Sequence, residues 1–156
     1  MQKLVSQLSV RLIFKQLKVA TVESCTGGWI GKILTDQAGS SEWFAGGLIT
    51  YTNESKSQLA DVPTALLDKY GAVSVEVAEA MAAGAQKHFP DCVSVAVSGV
   101  AGPGGGSKDK PVGTVCIATS LNGVNNARRY QFDGDRNQVR RETVKQALQM
   151  VLDALN

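Results

Sequence analysis

Strand-like and helix-like segments alternate along this chain, and that alternation is the feature that most constrains its fold. Strand-like runs rich in β-branched and apolar residues occur at 18–24, 43–52, 92–99, 112–120 and 127–132. Apolar side chains with helical spacing occur at 3–17, 27–39, 74–89 and beyond 135, and Pro63 divides residues 53–69 into two short helical segments. The pattern predicts an α/β fold: a single three-layer α/β/α domain over residues 1–156, with a central mixed sheet.

Composition narrows the classes of protein that the chain can belong to. The 156 residues are 44% hydrophobic and 19% charged, which is typical of a globular protein that buries its own core. The net charge of +2, with both signs interspersed, gives no support to nucleic-acid binding. The three cysteines (Cys25, Cys92 and Cys116) have no C-x-x-C spacing, so we expect reduced thiols rather than disulfides or a zinc site.

No run of 18 apolar residues occurs, and Lys3, Gln7 and Arg11 interrupt the first apolar segment. The sequence therefore predicts neither a membrane span nor a secretory signal, and we expect a cytoplasmic protein.

The segment VESCTGGWIG, residues 22–31, follows a predicted strand and precedes a predicted helix. It matches neither the P-loop, nor the dinucleotide fingerprint, nor the G-x-S-x-G nucleophile elbow. Ligands of open α/β sheets nevertheless bind at the carboxyl ends of strands, where Ser24 lies. The N–H groups of Gly27 and Gly28 would there suit an anion or a developing oxyanion. The alternative is that Ser24 or Thr26 only caps the following helix.

A serine nucleophile needs a base, and the chain offers few. The one histidine, His88, falls at the end of a predicted helix, away from any glycine-rich turn, so a Ser-His-Asp triad is not expected. Lysine is the remaining activator, provided that burial or a nearby cation lowers its pKa. Tyr51 lies at the end of the second predicted strand and Lys56 on the turn that follows it, and position alone makes Lys56 no more than a surface residue.

Six segments together resemble the C-terminal domain of the competence/damage-inducible protein CinA. They are ESCTGG (23–28), AGSSEWFAGGLITYTNESK (38–56), GAVS (71–74), VSGVAGPGGG (97–106), KPVGTV (110–115) and GDRNQVRRETV (134–144). The resemblance covers nearly the whole chain, and the family includes free-standing nicotinamide-mononucleotide amidohydrolases. It implies deamidation of nicotinamide mononucleotide to nicotinate mononucleotide and ammonia, in pyridine-nucleotide recycling.

The resemblance also assigns residues. Ser24 matches the family's nucleophile, and Tyr51 and Lys56 match its activating pair. The expected substrate-binding residues are Thr26, Gly27, Gly28, Ser41, Gly102 and one arginine that contacts the phosphate, either Arg136 or Arg140 with a slight preference for Arg140. The two arginines are four residues apart and share a helix face.

The expected partner is a small-molecule substrate, without cofactor, metal, nucleic acid or membrane, and the sequence leaves homo-oligomerisation open. Two alternatives to the deamidase stay open at this point. One is a nucleotide-binding regulatory module without turnover, and the other is a serine–lysine hydrolase of a different carboxamide. Release of ammonia from nicotinamide mononucleotide distinguishes the deamidase from the regulatory module. A side-by-side panel of substrates distinguishes it from a hydrolase of another carboxamide.

Overall fold

The computed structural model describes residues 1–156, and its elements follow the predicted order. The helices are α1 (Gln2–Lys15), α2 (Trp29–Thr35), α3 (Asn53–Ala60), α4 (Thr64–Tyr70), α5 (Val75–His88) and α6 (Arg136–Ala154), with a short 3₁₀ helix at Ser40–Glu42. The strands are β1 (Lys18–Glu23), β2 (Phe44–Ile49), β3 (Cys92–Gly99), β4 (Thr114–Leu121) and β5 (Val124–Gln131). None of the helices is both long enough and apolar enough to cross a lipid bilayer.

The five strands form one mixed sheet in the order β2-β1-β3-β4-β5, which confirms the predicted fold class. Strand β1 pairs in parallel with β2 and β3, whereas β3–β4 and β4–β5 are antiparallel. The carboxyl ends of β1, β2 and β3 therefore meet at one edge of the sheet. The segments that leave those ends, and the start of β4, are brought together there.

Helices cover both faces of the sheet, so the chain has two apolar cores. Helices α1, α2 and α6 pack on one face, around Leu8, Leu12, Val95 and Leu148. Helices α3, α4 and α5 pack on the other face, around Met81. Because both faces are covered, strands β3 and β4 are buried along almost their whole length.

Several local predictions are confirmed, and one helix is shorter than predicted. Ser74 caps α5 by accepting a hydrogen bond from the Val77 N–H at 3.3 Å, and Pro63 separates α3 from α4. The helix predicted over 27–39 covers only Trp29–Thr35. Gly27 and Gly28 have φ of +59° and +98°, which keeps them in a turn rather than in the helix.

Helix α3 is placed by an unusually close approach of α5. A Cβ added to Gly84 of α5 would lie 1.8 Å from the carbonyl oxygen of Ala60, the last residue of α3. Only glycine fits this contact. Because Lys56 lies on the same short helix, the position of its side chain depends on the contact as well.

We predict that Gly84→Ala destabilises the fold and lowers activity. The added methyl group forces α3 and α5 apart, and overpacking of this kind costs typically about 1–3 kcal/mol of unfolding free energy. Urea denaturation measures the loss. Gly104→Ala is the matched control, because an added Cβ there meets no atom within 4 Å, and it should change stability by less than about 0.5 kcal/mol. Equal stability of the two variants would contradict the packing argument.

Candidate active site

The turn after β1 is organised by a buried carboxylate. Glu23, the last residue of β1, has no exposed surface. Its Oε2 accepts hydrogen bonds from the Thr26 hydroxyl at 2.6 Å and from the N–H groups of Gly28 and Ile30 at 3.0 Å. Its Oε1 accepts from the Gly31 N–H at 2.9 Å. Glu23 thus satisfies the start of α2, which neither Ser24 nor Thr26 caps.

Ser24 follows Glu23 and contacts a buried lysine. The Lys56 Nζ donates to the Ser24 Oγ at 3.1 Å and to the Thr50 carbonyl oxygen at 2.9 Å. Lys56 is 1% exposed and Ser24 8% exposed. The prediction that Lys56 is a surface lysine, which rests on the residue pattern alone, is therefore wrong. Adjacent parallel strands bring Ser24 to Thr50, and α3 projects Lys56 back between them.

Burial lowers the pKa of Lys56 below its ordinary value, since the charged amine loses its hydration. No carboxylate forms an ion pair with the amine, because the salt bridges of the chain all involve other lysines. The lowered pKa increases the fraction of neutral amine at a given pH, and the neutral amine is the form that accepts a proton. Geometry and electrostatics together define a candidate nucleophile and base.

Cys25, next to Ser24, is not a competing nucleophile. Burial raises the pKa of its thiol to about 12, so it stays protonated at neutral pH. Cys25 is therefore a packed, reduced thiol rather than a second reactant at this turn.

A cavity of about 210 Å³ opens at this edge of the sheet. Its lining contains both members of the pair and no carboxylate: Ser24, Cys25, Tyr51, Asn53, Lys56, Ala72, Val73, Ser98, Gly99, Ala101 and Arg136. Charges in the wall are therefore positive or absent. Such a wall suits a substrate that carries a negative group.

Tyr51 and Arg136 lie together in the lining. The Arg136 Nη2 donates to the Tyr51 Oη at 3.1 Å, and its Nη1 donates to the Gly102 carbonyl oxygen at 2.8 Å. Tyr51 is 56% exposed and makes no hydrogen bond to Ser24 or Lys56. The structure thus brings Tyr51 to the cavity but gives its hydroxyl no direct path to the reacting pair.

Arg140 points elsewhere. Its Nε donates to the Cys25 carbonyl oxygen at 3.1 Å and its Nη2 to the Thr26 carbonyl oxygen at 2.9 Å, with the guanidinium 5.2 Å from the ring centre of Trp29. Because these contacts hold the turn and Arg140 does not line the cavity, the geometry favours Arg136 over the preferred Arg140 as the arginine that meets a substrate.

Other expected binding residues also have internal partners. The Gly27 N–H donates to the Ser24 carbonyl oxygen at 3.1 Å, and the Gly28 N–H donates to Glu23, so neither is free for an oxyanion or phosphate. The Thr26 hydroxyl is likewise taken by Glu23. Gly102 offers its carbonyl to Arg136, and an added Cβ would lie 2.5 Å from Val112, so its role is to shape the loop.

Ser41 lies at the other end of the sheet. It precedes β2, and its carbonyl oxygen accepts from the Lys18 Nζ at 2.9 Å, where β1 begins. The structure does not bring Ser41 to the cavity within one chain. A six-residue strand separates the two ends by about 20 Å.

Sequence reasoning assigned no role to Glu23, Asn53 or Ser98. Asn53 and Ser98 line the cavity, and the Ser98 Oγ donates to the Ala72 carbonyl oxygen at 2.7 Å, which fixes the opposite wall. A sequence signal existed for each, because all three stand at the end of a predicted strand or the start of the helix after it. That signal does not distinguish a residue that lines the cavity from one that only holds the surrounding backbone in place.

The fold and the site describe an α/β protein with a buried serine–lysine pair at the carboxyl edge of its sheet. Residues 1–155 match the CinA C-terminal domain, and the chain belongs to this family. It is 46% identical over 150 residues to the nicotinamide-nucleotide amidohydrolase PncC of Escherichia coli K12, covering 96% of this chain and 91% of that protein.

Longer relatives and solved structures agree. The chain is 51% identical over 134 residues to a CinA-like protein of Geobacter sulfurreducens, covering 86% of this chain but only 32% of that protein. The crystal structure of the competence/damage-inducible protein CihA from Agrobacterium tumefaciens superposes with a TM-score of 0.91 at 42% identity, covering 99% of this chain and 94% of that one.

We predict that Lys56→Met changes the pH dependence of stability. Lysine has its ordinary pKa of 10.5 in the unfolded chain and a lower pKa in the fold, so between the two values the unfolded chain binds more protons. Wild-type stability should therefore rise with pH relative to the variant as the pH approaches 10.5 from below. The slope is at most about 1.4 kcal/mol per pH unit, measured by urea denaturation.

Lys3→Met, at an exposed position, is the control for this experiment. Its stability difference from wild type should stay flat with pH, because that side chain is solvated in both states. A flat difference for Lys56→Met would mean that the fold does not disfavour the charged amine.

Proposed function

We propose that this chain hydrolyses nicotinamide mononucleotide to nicotinate mononucleotide and ammonia, as a step of pyridine-nucleotide recycling. The amidohydrolase class follows from the kinship with the Escherichia coli enzyme, which is 46% identical. The observation that carries the proposal is the buried contact of 3.1 Å between the Lys56 Nζ and the Ser24 Oγ. It joins a nucleophile to a base whose pKa burial lowers.

In the proposed reaction, the neutral Lys56 amine takes the proton of the Ser24 hydroxyl as Oγ attacks the carboxamide carbon. A tetrahedral intermediate forms with a negative oxygen. Lys56 then returns the proton to the amide nitrogen, the C–N bond breaks and ammonia leaves. Water, deprotonated by the same amine, then attacks the ester carbon. The bond from that carbon to Ser24 Oγ breaks, Lys56 returns the proton to Oγ, and the product acid ionises to its carboxylate.

Two N–H groups support the negative oxygen in this proposal. The backbone N–H groups of Cys25 and Thr26 have no acceptor among the hydrogen bonds of the turn, whereas Gly27, Gly28 and Trp29 are all paired. The N–H after a nucleophile is a recurrent oxyanion donor in serine hydrolases. One such donor contributes about 3 kcal/mol of transition-state stabilisation.

Arg136 is the proposed phosphate contact. It stands in the cavity wall and uses two of the five N–H groups that a guanidinium carries. The remaining donors can hold a phosphate while the carboxamide reaches Ser24. Tyr51 and Asn53 also line the cavity, and in this proposal they contact the ribosyl or pyridinium part of the substrate.

The test of function is ammonia release by the purified chain from nicotinamide mononucleotide. Nicotinamide, nicotinamide riboside and glutamine form the comparison panel. We expect the mononucleotide to be the best substrate by at least about tenfold. Absence of ammonia with the mononucleotide would favour the regulatory module, and faster release from another amide would favour a different carboxamide.

We predict that Ser24→Ala and Lys56→Arg each lose at least about a thousandfold in kcat. Alanine has no nucleophile, and arginine keeps the charge but does not deprotonate in proteins. Steady-state ammonia release measures both variants. If Lys56→Arg keeps most of the activity, the residue is an electrostatic anchor and another group activates Ser24.

Tyr51→Phe is the comparison variant for this pair. It removes one hydroxyl from the same cavity, but the hydroxyl contacts Arg136 rather than Lys56. We expect it to retain far more activity than Lys56→Ala. A loss of activity equal to that of Lys56→Ala would instead support a proton relay through Tyr51, in line with the activating pair of Tyr51 and Lys56 that the family resemblance implies.

We predict that Arg136→Ala raises KM for nicotinamide mononucleotide by about 10- to 100-fold and leaves the riboside nearly unaffected. The reason is the loss of charge-assisted hydrogen bonds to the phosphate, typically about 1.5–3 kcal/mol. Steady-state kinetics on both substrates measure the effect. Arg141→Ala, which removes an exposed arginine from the same helix, is the matched control. A selective effect of Arg140→Ala on the mononucleotide would contradict the assignment.

A further inference from the structure

Glu23 is a buried charged group that the proposed reaction does not use. Both carboxylate oxygens are filled by the Thr26 hydroxyl and three backbone N–H groups, at 2.6–3.0 Å, and no lysine or arginine forms an ion pair with it. It has no exposed surface and does not line the cavity. Glu23 therefore cannot touch a substrate in the cavity.

The hydrogen bonds of Glu23 fix the turn that carries the nucleophile. They tie Thr26 and Gly28 to the first turn of α2, and Arg140 holds the Cys25 and Thr26 carbonyl groups from the other side. The Arg140 guanidinium thus donates to carbonyl groups of the turn, and the Glu23 carboxylate accepts from its N–H groups. Between them, only the Cys25 and Thr26 N–H groups are left without a protein acceptor.

A fixed negative charge below the turn also affects substrate orientation. The N–H groups at the start of α2 would otherwise attract an anion, yet three of them are already used by Glu23. A phosphate at the start of α2 would meet a carboxylate and N–H groups that Glu23 already occupies. The cationic Arg136 in the cavity wall is the alternative partner for it.

We propose that Glu23 is a positioning residue: by holding the 24–28 turn it aims Ser24 at Lys56, directs the Cys25 and Thr26 N–H groups, and keeps the substrate phosphate away from the start of α2. The part of this inference that concerns the phosphate rests on the proposed function. The part that concerns the reactivity of Ser24 does not depend on which substrate the protein uses. Misplacement of a reacting group by about 1 Å can cost a hundredfold in rate.

Glu23→Gln tests the inference, because its NH₂ group would face a backbone N–H where an oxygen now accepts. We expect kcat for ammonia release to fall at least about tenfold, with KM within about twofold. The rate at which an alkyl fluorophosphonate labels Ser24, followed by intact-protein mass, should fall in parallel. Glu42→Gln, an exposed glutamate at the other end of the sheet, is the matched control and should leave both rates unchanged.

Unchanged kcat and labelling in folded Glu23→Gln would overturn the proposal, as would a rise in KM alone. If Glu23→Gln does not fold, Thr26→Val decides, since it removes one donor to Glu23 and keeps the side-chain shape. We expect about three- to tenfold slower labelling, and an unchanged rate overturns the proposal.

The labelling experiment also separates the two proposals. Wild type that is labelled but releases no ammonia would contradict the deamidase and leave Glu23 tested by labelling. Wild type that shows neither reaction would overturn both, because Ser24 would then not be an activated nucleophile.

Discussion

The candidate site at the carboxyl edge of the sheet depends on the burial of one lysine amine against one serine hydroxyl. Lys56 is 1% exposed and is held between Ser24 and the Thr50 carbonyl. A buried ammonium without a carboxylate partner is unfavourable, so the fold lowers the pKa of Lys56 and must fix the amine in place by packing. Parallel pairing of β1 with β2 supplies the serine and the carbonyl, the Thr52 capping box starts α3, and the Gly84 contact sets the position of that helix.

Charge is separated across the turn that follows β1. The carboxylate of Glu23 lies beneath the turn and is fully used by internal donors, whereas Lys56 and Arg136 face the cavity. This arrangement has two consequences for the proposed substrate. Its phosphate has one cationic partner in the wall that is free of the reacting pair. Its carboxamide meets a serine in a cavity whose wall contains no carboxylate.

Hydrophobic periodicity and capping residues predicted most of the fold, since those signals are local. The strand at 92–99, the break at Pro63 and the Ser74 cap are all confirmed. The site was less accessible to sequence reasoning, because it depends on which strands are neighbours. Residue patterns alone made Lys56 a surface lysine, and only the family resemblance selected it. The Gly27 and Gly28 N–H groups, expected as donors to a substrate, are paired inside the turn with the Ser24 carbonyl oxygen and with Glu23. This pairing depends on the three-dimensional path of the turn, which the sequence pattern does not reveal.

The positive charge on the proposed substrate suits a lysine base. The pKa of a lysine must be lowered further than that of a histidine before the neutral form is available. In the proposed reaction a pyridinium ring enters next to Lys56, and because Coulomb energy falls with distance, this cation outweighs the more distant phosphate. It disfavours the ammonium form and keeps the amine ready to accept the serine proton. Once the acyl group is hydrolysed, the nearest new charge is a carboxylate, which favours protonated Lys56. The base is therefore regenerated fully only when the product leaves, so the reaction's own change of charge links product release to the next attack by Ser24.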